Sequence, residues 1–269
     1  MPEQEKHSTI HKAADILRCI TEGMNQSSII ADSLGLSRST THRLLKTLHA
    51  AGFVFQDPLS LHYDVGPLIY RLADYCTSSH QILLFCALGE MEKLRRTTDE
   101  TVALVIRVGL NRMHLEELPS LHPLKYAAGK GSTAPIYAGS TGKLLLTQIP
   151  YQEMLQILDN LRLAKVGPNT ITNRHGLLKE LEKVRRQGYS ISYAEIVPGS
   201  ASVAVPIRNY SQPVAMCVLG PENRMSNRID EILKKAKRAA SAIERRLKKL
   251  NQQKTDVDLK EFSKIRAVS

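Results

Sequence analysis

The sequence predicts an α+β chain in two parts, an N-terminal winged helix-turn-helix joined by a helical linker to a larger domain of mixed helices and strands. Three observations carry that prediction. Three short apolar stripes of helical period stand at the start, with a glycine between the last two; an Asp-Pro hairpin follows directly; and β-rich runs alternate with helical stripes from Thr101 onward. At 269 residues the chain exceeds the usual size of one domain and can bury two cores.

In the first helix, over 10–20, Ile10, Ala13, Ala14, Leu17 and Ile20 recur at steps of three and four. The second is capped by Ser27 or Ser28, buries Ile29, Ile30, Ala31 and Leu34, and ends at Gly35, which accepts the left-handed conformation other residues resist. Leu36 plugs the turn. Ser37 then opens a third helix, 37–51, whose apolar side is Leu44, Leu45 and Leu48 and whose stop is Gly52.

The polar side of that third helix reads Ser37, Arg38, Ser39, Thr40, Thr41, His42 and Arg43, with Lys46 one turn on. In a helix-turn-helix this N-terminal half enters the major groove of double-stranded DNA. Short hydroxyls reach phosphates or base edges there, an arginine grips a guanine with two hydrogen bonds, and the free N–H groups of the helix start favour a phosphate. The competing reading is a merely solvated face. Against it, only Glu22 and Asp32 lie between Asp15 and Asp57, and no acid falls inside the third helix.

Bulk charge does not locate this surface. The net charge is +11, yet residues 1–80 hold seven Lys/Arg against eight Asp/Glu, a net of −1. The excess sits in Lys234-Lys235-Ala236-Lys237-Arg238 and Arg245-Arg246-Leu247-Lys248-Lys249, read here as a solvated helix face.

Phe53-Val54-Phe55-Gln56 and Leu61-His62-Tyr63-Asp64-Val65, separated by Asp57-Pro58-Leu59-Ser60, form the expected wing. His62 and Ser60 are its candidates for the DNA backbone. The winged domain is thus placed at 8–66 and a linker helix at 67–80, starting at Pro67, with Leu68, Ile69, Leu72, Ala73 and Tyr75 along one side. A further helix over 81–96 directs Ile82, Phe85, Cys86, Leu88 and Met91 inward. The pair serves either as linker and dimer contact or as cover for the second domain's own core.

The second domain, 81–250, is expected to place strands at 101–108 and 113–118, helices at about 138–148, 151–160 and 174–187, three close strands at 189–196, 201–208 and 214–219, and a long basic helix over 226–250. Residues 251–269 read as a disordered tail. No run approaches the roughly 20 apolar residues of a membrane span, and Met1-Pro2-Glu3-Gln4-Glu5-Lys6 lacks the order of a signal peptide, so no membrane and a cytoplasmic location are expected. Cys19, Cys76, Cys86 and Cys217 form no C-x-x-C pair and read as buried free thiols.

Three segments resemble the IclR family of bacterial regulators, in order and spacing, across residues 11–250. They are Leu36-Ser37-Arg38-Ser39-Thr40-Thr41-His42-Arg43-Leu44-Leu45-Lys46-Thr47-Leu48 with Ala51-Gly52-Phe53; Pro135-Ile136-Tyr137-Ala138-Gly139-Ser140-Thr141-Gly142-Lys143-Leu144-Leu145-Leu146; and Arg186-Gln187-Gly188-Tyr189-Ser190, continuing through Glu195 and Gly199 to Ala204-Val205-Pro206-Ile207. The resemblance implies a transcriptional repressor of a catabolic operon, a homodimer or homotetramer, whose GAF-like effector-binding domain takes a small organic acid. Its pocket would lie between the sheet and the loop carrying Gly139, and would involve Ile136, Gly139, Ser192, Ser202, Cys217 and Leu219. The family's carboxylate binders tend to have an acidic residue followed later by a cysteine and two serines. Ser192, Ser202, Cys217 and Leu219 depart from that pattern, which implies fewer donors, more apolar walls and a ligand larger or less polar than a two- or three-carbon acid.

The alternative is an enzyme domain with the winged helix as a docking module, and the residues do not favour it. Gly139-Ser140-Thr141-Gly142-Lys143 glances at a phosphate loop, but only two residues separate its glycines and Leu144 stands where a Ser or Thr belongs. His114, near Glu116 and Glu117, has no second histidine at ligand spacing, and Glu195 near Ser192 reads as a carboxylate that orders a loop. No catalytic group, metal or cofactor is expected.

Overall fold

A computed structural model describes residues 8–266, which divide into two compact units between Gln81 and Ile82. Residues 1–7 and 267–269 and the side chain of Cys76 lie outside the described residues, so the readings made on them have no structural counterpart.

The first unit contains α1 (Thr9–Thr21), α2 (Ser27–Leu34) and α3 (Arg38–Ala50), then the antiparallel pair β1 (Val54–Gln56) and β2 (Tyr63–Val65), then α4 (Pro67–Ser78). Ser8 caps α1 by accepting the His11 N–H. The α1 stripe is centred on Ile16, Cys19 and Ile20, while Ile10 lies exposed at its first turn. Gln26, not a serine, precedes α2 as its cap, without a side-chain hydrogen bond, and Ile29 faces outward beside buried Ile30 and Ala31. Gly35 closes α2 with φ of 61°, the left-handed turn that aims the chain into α3. Leu44, Leu45 and Leu48 then meet Ile16, Ile20, Ile30, Val54 and Tyr63 in one small core. On α4, Leu68 and Ile69 are half-buried, whereas Tyr70, Leu72 and Tyr75 are exposed.

The second unit is a six-stranded antiparallel sheet of order β5-β4-β3-β8-β7-β6, built from β3 (Thr101–Val108), β4 (Asn111–Leu118), β5 (Thr133–Pro135), β6 (Ser190–Tyr193), β7 (Ser200–Ile207) and β8 (Val214–Pro221). Helices cover both faces. One core joins α5 (Gln81–Thr98) and α10 (Ile229–Arg266) to Leu104, Val203, Val205, Met216 and Val218. The other joins α6 (Gly139–Thr147), α7 (Tyr151–Asp159) and α8 (Arg174–Gln187) to Ala103, Val105, Ala204, Ala215 and Cys217. Alternate residues of β3 thus serve different cores, which is why the strand is a continuous apolar run instead of an alternating one. A short helix, α9 (Glu222–Met225), and a 3-10 turn (Ser226–Arg228) lead into α10.

Three expectations are corrected here. On α5 the buried apolar residues are Leu83, Leu84, Cys86, Ala87, Met91 and Leu94, and Ile82, Phe85 and Leu88 are exposed. The run Ile82-Leu83-Leu84-Phe85 is apolar on every side, so its period does not say which face turns inward. The edge strand β5 was not expected; it is three residues long and carries Pro135, which only a sheet edge tolerates. Helix α10 runs on to Arg266 instead of yielding to a disordered tail at 251, through a stretch without glycine or proline to break it. Among the described residues Cys19, Cys86 and Cys217 are free and buried, and no helix is long and apolar enough to cross a membrane.

Candidate functional sites: the α3 face and an interior cavity

The first site is the outer face of α3. Ser37 caps the helix, accepting the Thr40 N–H at 3.2 Å, and its hydroxyl also lies 2.8 Å from the Thr40 hydroxyl and 3.1 Å from that of Ser39. Arg38, Ser39, His42, Arg43 and Lys46 are exposed, and Thr40 is half-buried. Thr41 is the exception. It is 0% exposed, because residues 41, 44, 45 and 48 form a single inward stripe with Leu44, Leu45 and Leu48. The expected DNA-facing role of Thr41 therefore fails on position. In the wing, Asp57 accepts from the Ser60 N–H at 2.7 Å, the Ser60 hydroxyl at 2.8 Å and the Leu59 N–H at 3.1 Å, so the Ser60 hydroxyl serves the turn. The same bonds, the Ser60 N–H first, hold the Asp57 carboxyl below its usual range. His62 Nε2 lies 2.9 Å from Gln26 Nε2, which ties the wing to the start of α2.

The second site is a cavity of about 150 Å³ within the second unit, between the sheet, the start of α6 and the loops around Tyr126 and Ile196. Gly139, Ser192, Ser202, Cys217 and Leu219 line it, as expected. Ile136 does not. It is fully buried behind the cavity, where its carbonyl would stand 2.1 Å from a Cβ at position 142; Gly142 is what lets α6 approach so closely. Three hydroxyls form a chain, with Ser140 Oγ 2.6 Å from Ser202 Oγ and Ser192 Oγ 2.9 Å from Ser202 Oγ, while Ser192 also accepts the Ser140 N–H at 3.0 Å. Glu195 accepts the Gly139 N–H at 3.0 Å and the Lys143 ammonium at 2.5 Å, and Glu180 receives Lys143 from the other side at 3.3 Å. Lys143, the residue that makes the local string look like a phosphate loop, is thus a buried counter-ion that fixes α6 to the loop after β6.

Sequence reasoning missed Arg112 and Tyr126, and read His114 only as a scattered histidine. Arg112 and His114 alternate along β4 and both line the cavity. Between Leu104 and Val105 of β3 the pairing skips Leu115, a bulge that turns Glu117 onto the same face as His114 instead of the opposite one. The result is a buried row: Arg112 Nη1 donates to His114 Nε2 at 2.8 Å, and His114 Nδ1 meets Glu117 Oε2 at 2.7 Å. Because a guanidinium only donates, Nε2 is the acceptor and Nδ1 carries the hydrogen, a tautomer assigned from partners. Glu117 also accepts the Gly129 N–H at 2.9 Å and the Ala128 N–H at 3.2 Å. Burial works to raise the Glu117 carboxyl, but these bonds outweigh it and hold it below its usual range. Burial lowers the Arg112 guanidinium, and it pushes the Cys217 thiol up to about 12, so Cys217 stays a neutral thiol.

Comparison with known proteins decides what these sites belong to. The family model for the bacterial transcriptional regulator IclR C-terminal matches residues 76–245, and that for the IclR helix-turn-helix domain matches residues 9–58. The chain belongs to the IclR family of bacterial transcriptional regulators. Its IclR relatives include the HTH-type transcriptional regulator KipR of Bacillus subtilis, 27% identical over 91% of this chain and 98% of the relative. The HTH-type transcriptional repressor AllR of Salmonella typhi is 30% identical over 83% of each chain. These relatives are DNA-binding regulators, not enzymes. The IclR of Thermotoga maritima superposes with a TM-score of 0.71 at 26% identity, covering 89% of this chain and 98% of its own. An IclR homologue of Microbacterium hydrocarbonoxydans, complexed with 4-hydroxybenzoate, superposes at 0.70 with 23% identity over 90% of this chain and 99% of its own, a likeness of fold.

Proposed function

We propose that the protein is a cytoplasmic repressor of a catabolic operon, in which α3 reads double-stranded operator DNA and the second unit, a GAF-like effector-binding domain, senses a small organic acid. The observation that carries the DNA reading is the face of α3, where Arg38, Ser39, His42, Arg43 and Lys46 stand exposed on a helix without a single acid. Arg43 is assigned to a base edge and Arg38 and Lys46 to phosphates. Ser37, Thr40 and His62 act from their caps and turns, and Thr41 packs the helix. The cavity supports the sensing reading, since it is small, recessed between sheet and helix, and lined by hydroxyls with a single arginine. The AllR relatives are named repressors, which supports the repressor reading, and one neighbour of the same fold is complexed with 4-hydroxybenzoate, which is compatible with a small-acid effector. The protein acts as a homodimer or homotetramer, because two recognition helices must match half-sites about one helical turn apart. The exposed apolar side chains Tyr70, Leu72 and Tyr75 of α4 supply a surface for such pairing.

Fluorescence anisotropy on the DNA upstream of the protein's own gene, against random DNA, in about 0.15 M salt, tests this reading, since non-specific binding is mostly counterion release. Specific binding that Arg43→Ala weakens on the operator and spares on random DNA is the expected outcome. Equal affinity for both DNAs would overturn it and restore the docking-module alternative.

A further inference from the structure

We propose that Arg112 is the anchor for the effector's anionic group, and that the ligand it selects is a monocarboxylate about the size of one benzene ring. The inference rests on reading the cavity as the effector pocket and names the class of ligand that pocket takes.

The charges around the cavity single out Arg112. Glu195 lies between the Lys143 ammonium and the Gly139 N–H, so the positive start of α6 and the buried lysine are already balanced. Glu180 adds a second partner to Lys143. Glu117, the acid on the same face of β4 as Arg112, is engaged by His114, Ala128 and Gly129, and the His114 imidazole stands between it and the guanidinium. Cys217 lines the same cavity but stays protonated and offers no thiolate.

Arg112 is left with one side-chain partner for its five N–H groups. Nη1 meets His114, while Nε is buried without any hydrogen-bond partner, and no partner of Nη2 occurs among the described residues. Nε and Nη2 form the side-on edge of the guanidinium fork, the edge that matches the two oxygens of a carboxylate. A buried cation with an idle fork in a cavity wall is unfavourable by itself, and a ligand carboxylate would relieve it.

Volume sets the rest of the ligand. A cavity of about 150 Å³ is the size at which an apolar pocket takes up benzene. Beyond Arg112 the walls offer Leu219, Ile196, Ala127 and Ala201, with the Ser192 and Ser202 hydroxyls to one side. A second carboxylate would find no second unpaired cation among the lining residues, which favours a monocarboxylate over a dicarboxylate.

The anchor is also wired to the wall that closes the cavity. Through His114 and Glu117 it reaches the N–H groups of Ala128 and Gly129, and the same loop is fastened across the mouth by the Tyr126 hydroxyl, which donates to the Pro198 carbonyl at 2.8 Å. A carboxylate that draws Arg112 toward itself therefore pulls on the loop through a chain of short hydrogen bonds.

The test is calorimetric titration of the full-length protein with benzoate and benzamide, which share shape and differ in charge, and with 4-hydroxybenzoate and hexanoate as further acids. The acid that binds should exceed its amide by roughly 10- to 100-fold, the range of a hydrogen bond to a charged group. Arg112→Met should remove that preference by weakening the acid and leave the amide within about threefold, and Arg112→Lys should keep part of it. Benzamide binding as tightly as benzoate to the unaltered protein would overturn the anchor, and that comparison needs no variant to fold. Failure of all three acids would overturn it too. If a neutral compound then still altered DNA binding, the sensing reading would stand without the anchor; if no compound did, both would fall.

Discussion

The α3 face and the cavity are both polar, and they are held in opposite ways. On α3 the side chains that matter project into solvent, and among them only the cap residues Ser37, Ser39 and Thr40 bond to one another. Around the cavity nearly every polar group has a buried partner, and the sheet, α6 and the loop after β6 are tied together by them. Surface chemistry of the first kind can be altered without cost to the fold, whereas chemistry of the second kind is part of the fold. Function and stability should therefore separate on α3 and move together around the cavity.

The largest expected effect tests the cavity side. Glu195→Ala leaves Lys143 buried with Glu180 alone and frees the Gly139 N–H, and removing one partner of a buried pair costs about 3–5 kcal/mol. Urea unfolding of the second unit should show it, and a loss below about 1 kcal/mol would place the pair among those worth little. Gly142→Ala comes next. Its Cβ would lie 2.1 Å from the Ile136 carbonyl oxygen, so α6 must shift, at about 1–3 kcal/mol by analogy with overpacked cores. An unchanged unfolding midpoint would show that α6 is free to move.

On the α3 side the same magnitude should appear in binding and not in folding. Arg43→Ala should cost about 1–3 kcal/mol on the operator, far less on random DNA, with no change in the urea midpoint. A loss shared equally by both DNAs would make Arg43 a phosphate contact. Ser37→Ala removes the cap of α3 and should lower the stability of the first unit by about 1 kcal/mol, because this hydroxyl serves the helix; a loss in DNA affinity with no change in melting would reverse that assignment.

The subtlest test is in pH. The Glu117 carboxyl is held below its usual range in the folded chain, so it contributes stability above the unfolded value that is lost as pH falls through the folded one. Glu117→Gln should flatten the acid limb of the stability curve. A limb of unchanged slope would show that Glu117 does not titrate on unfolding.

The same contrast explains what was legible in the sequence. The helix-turn-helix shows itself through a 3.6-residue period, and the stripe of Leu44, Leu45 and Leu48, extended back by one turn, already puts Thr41 inside. Five of the six cavity residues named from the family pattern line the cavity, because strand and loop positions carry across a family with the backbone. Arg112 was hidden for two physical reasons. It precedes Met113, where the expected strand begins, and a plain two-residue period puts Glu117 on the opposite face of β4; only the bulge at Leu115, which the sequence does not show, brings the two onto one face. Burial of the Glu117 charge likewise leaves no mark in the sequence, because its N–H partners come from the loop at Ala128 and Gly129, more than ten residues away.

The account's central claim is that one chain joins a DNA-reading face to an acid-sensing cavity. Anisotropy of the operator complex titrated with benzoate, 4-hydroxybenzoate and hexanoate, for the unaltered protein and for Arg112→Met side by side, tests it most directly. A shift of the operator affinity by at least one acid, absent in the variant while its ligand-free affinity is unchanged, is the predicted result. Operator binding that ignores every acid, or that responds equally in the variant, would contradict it.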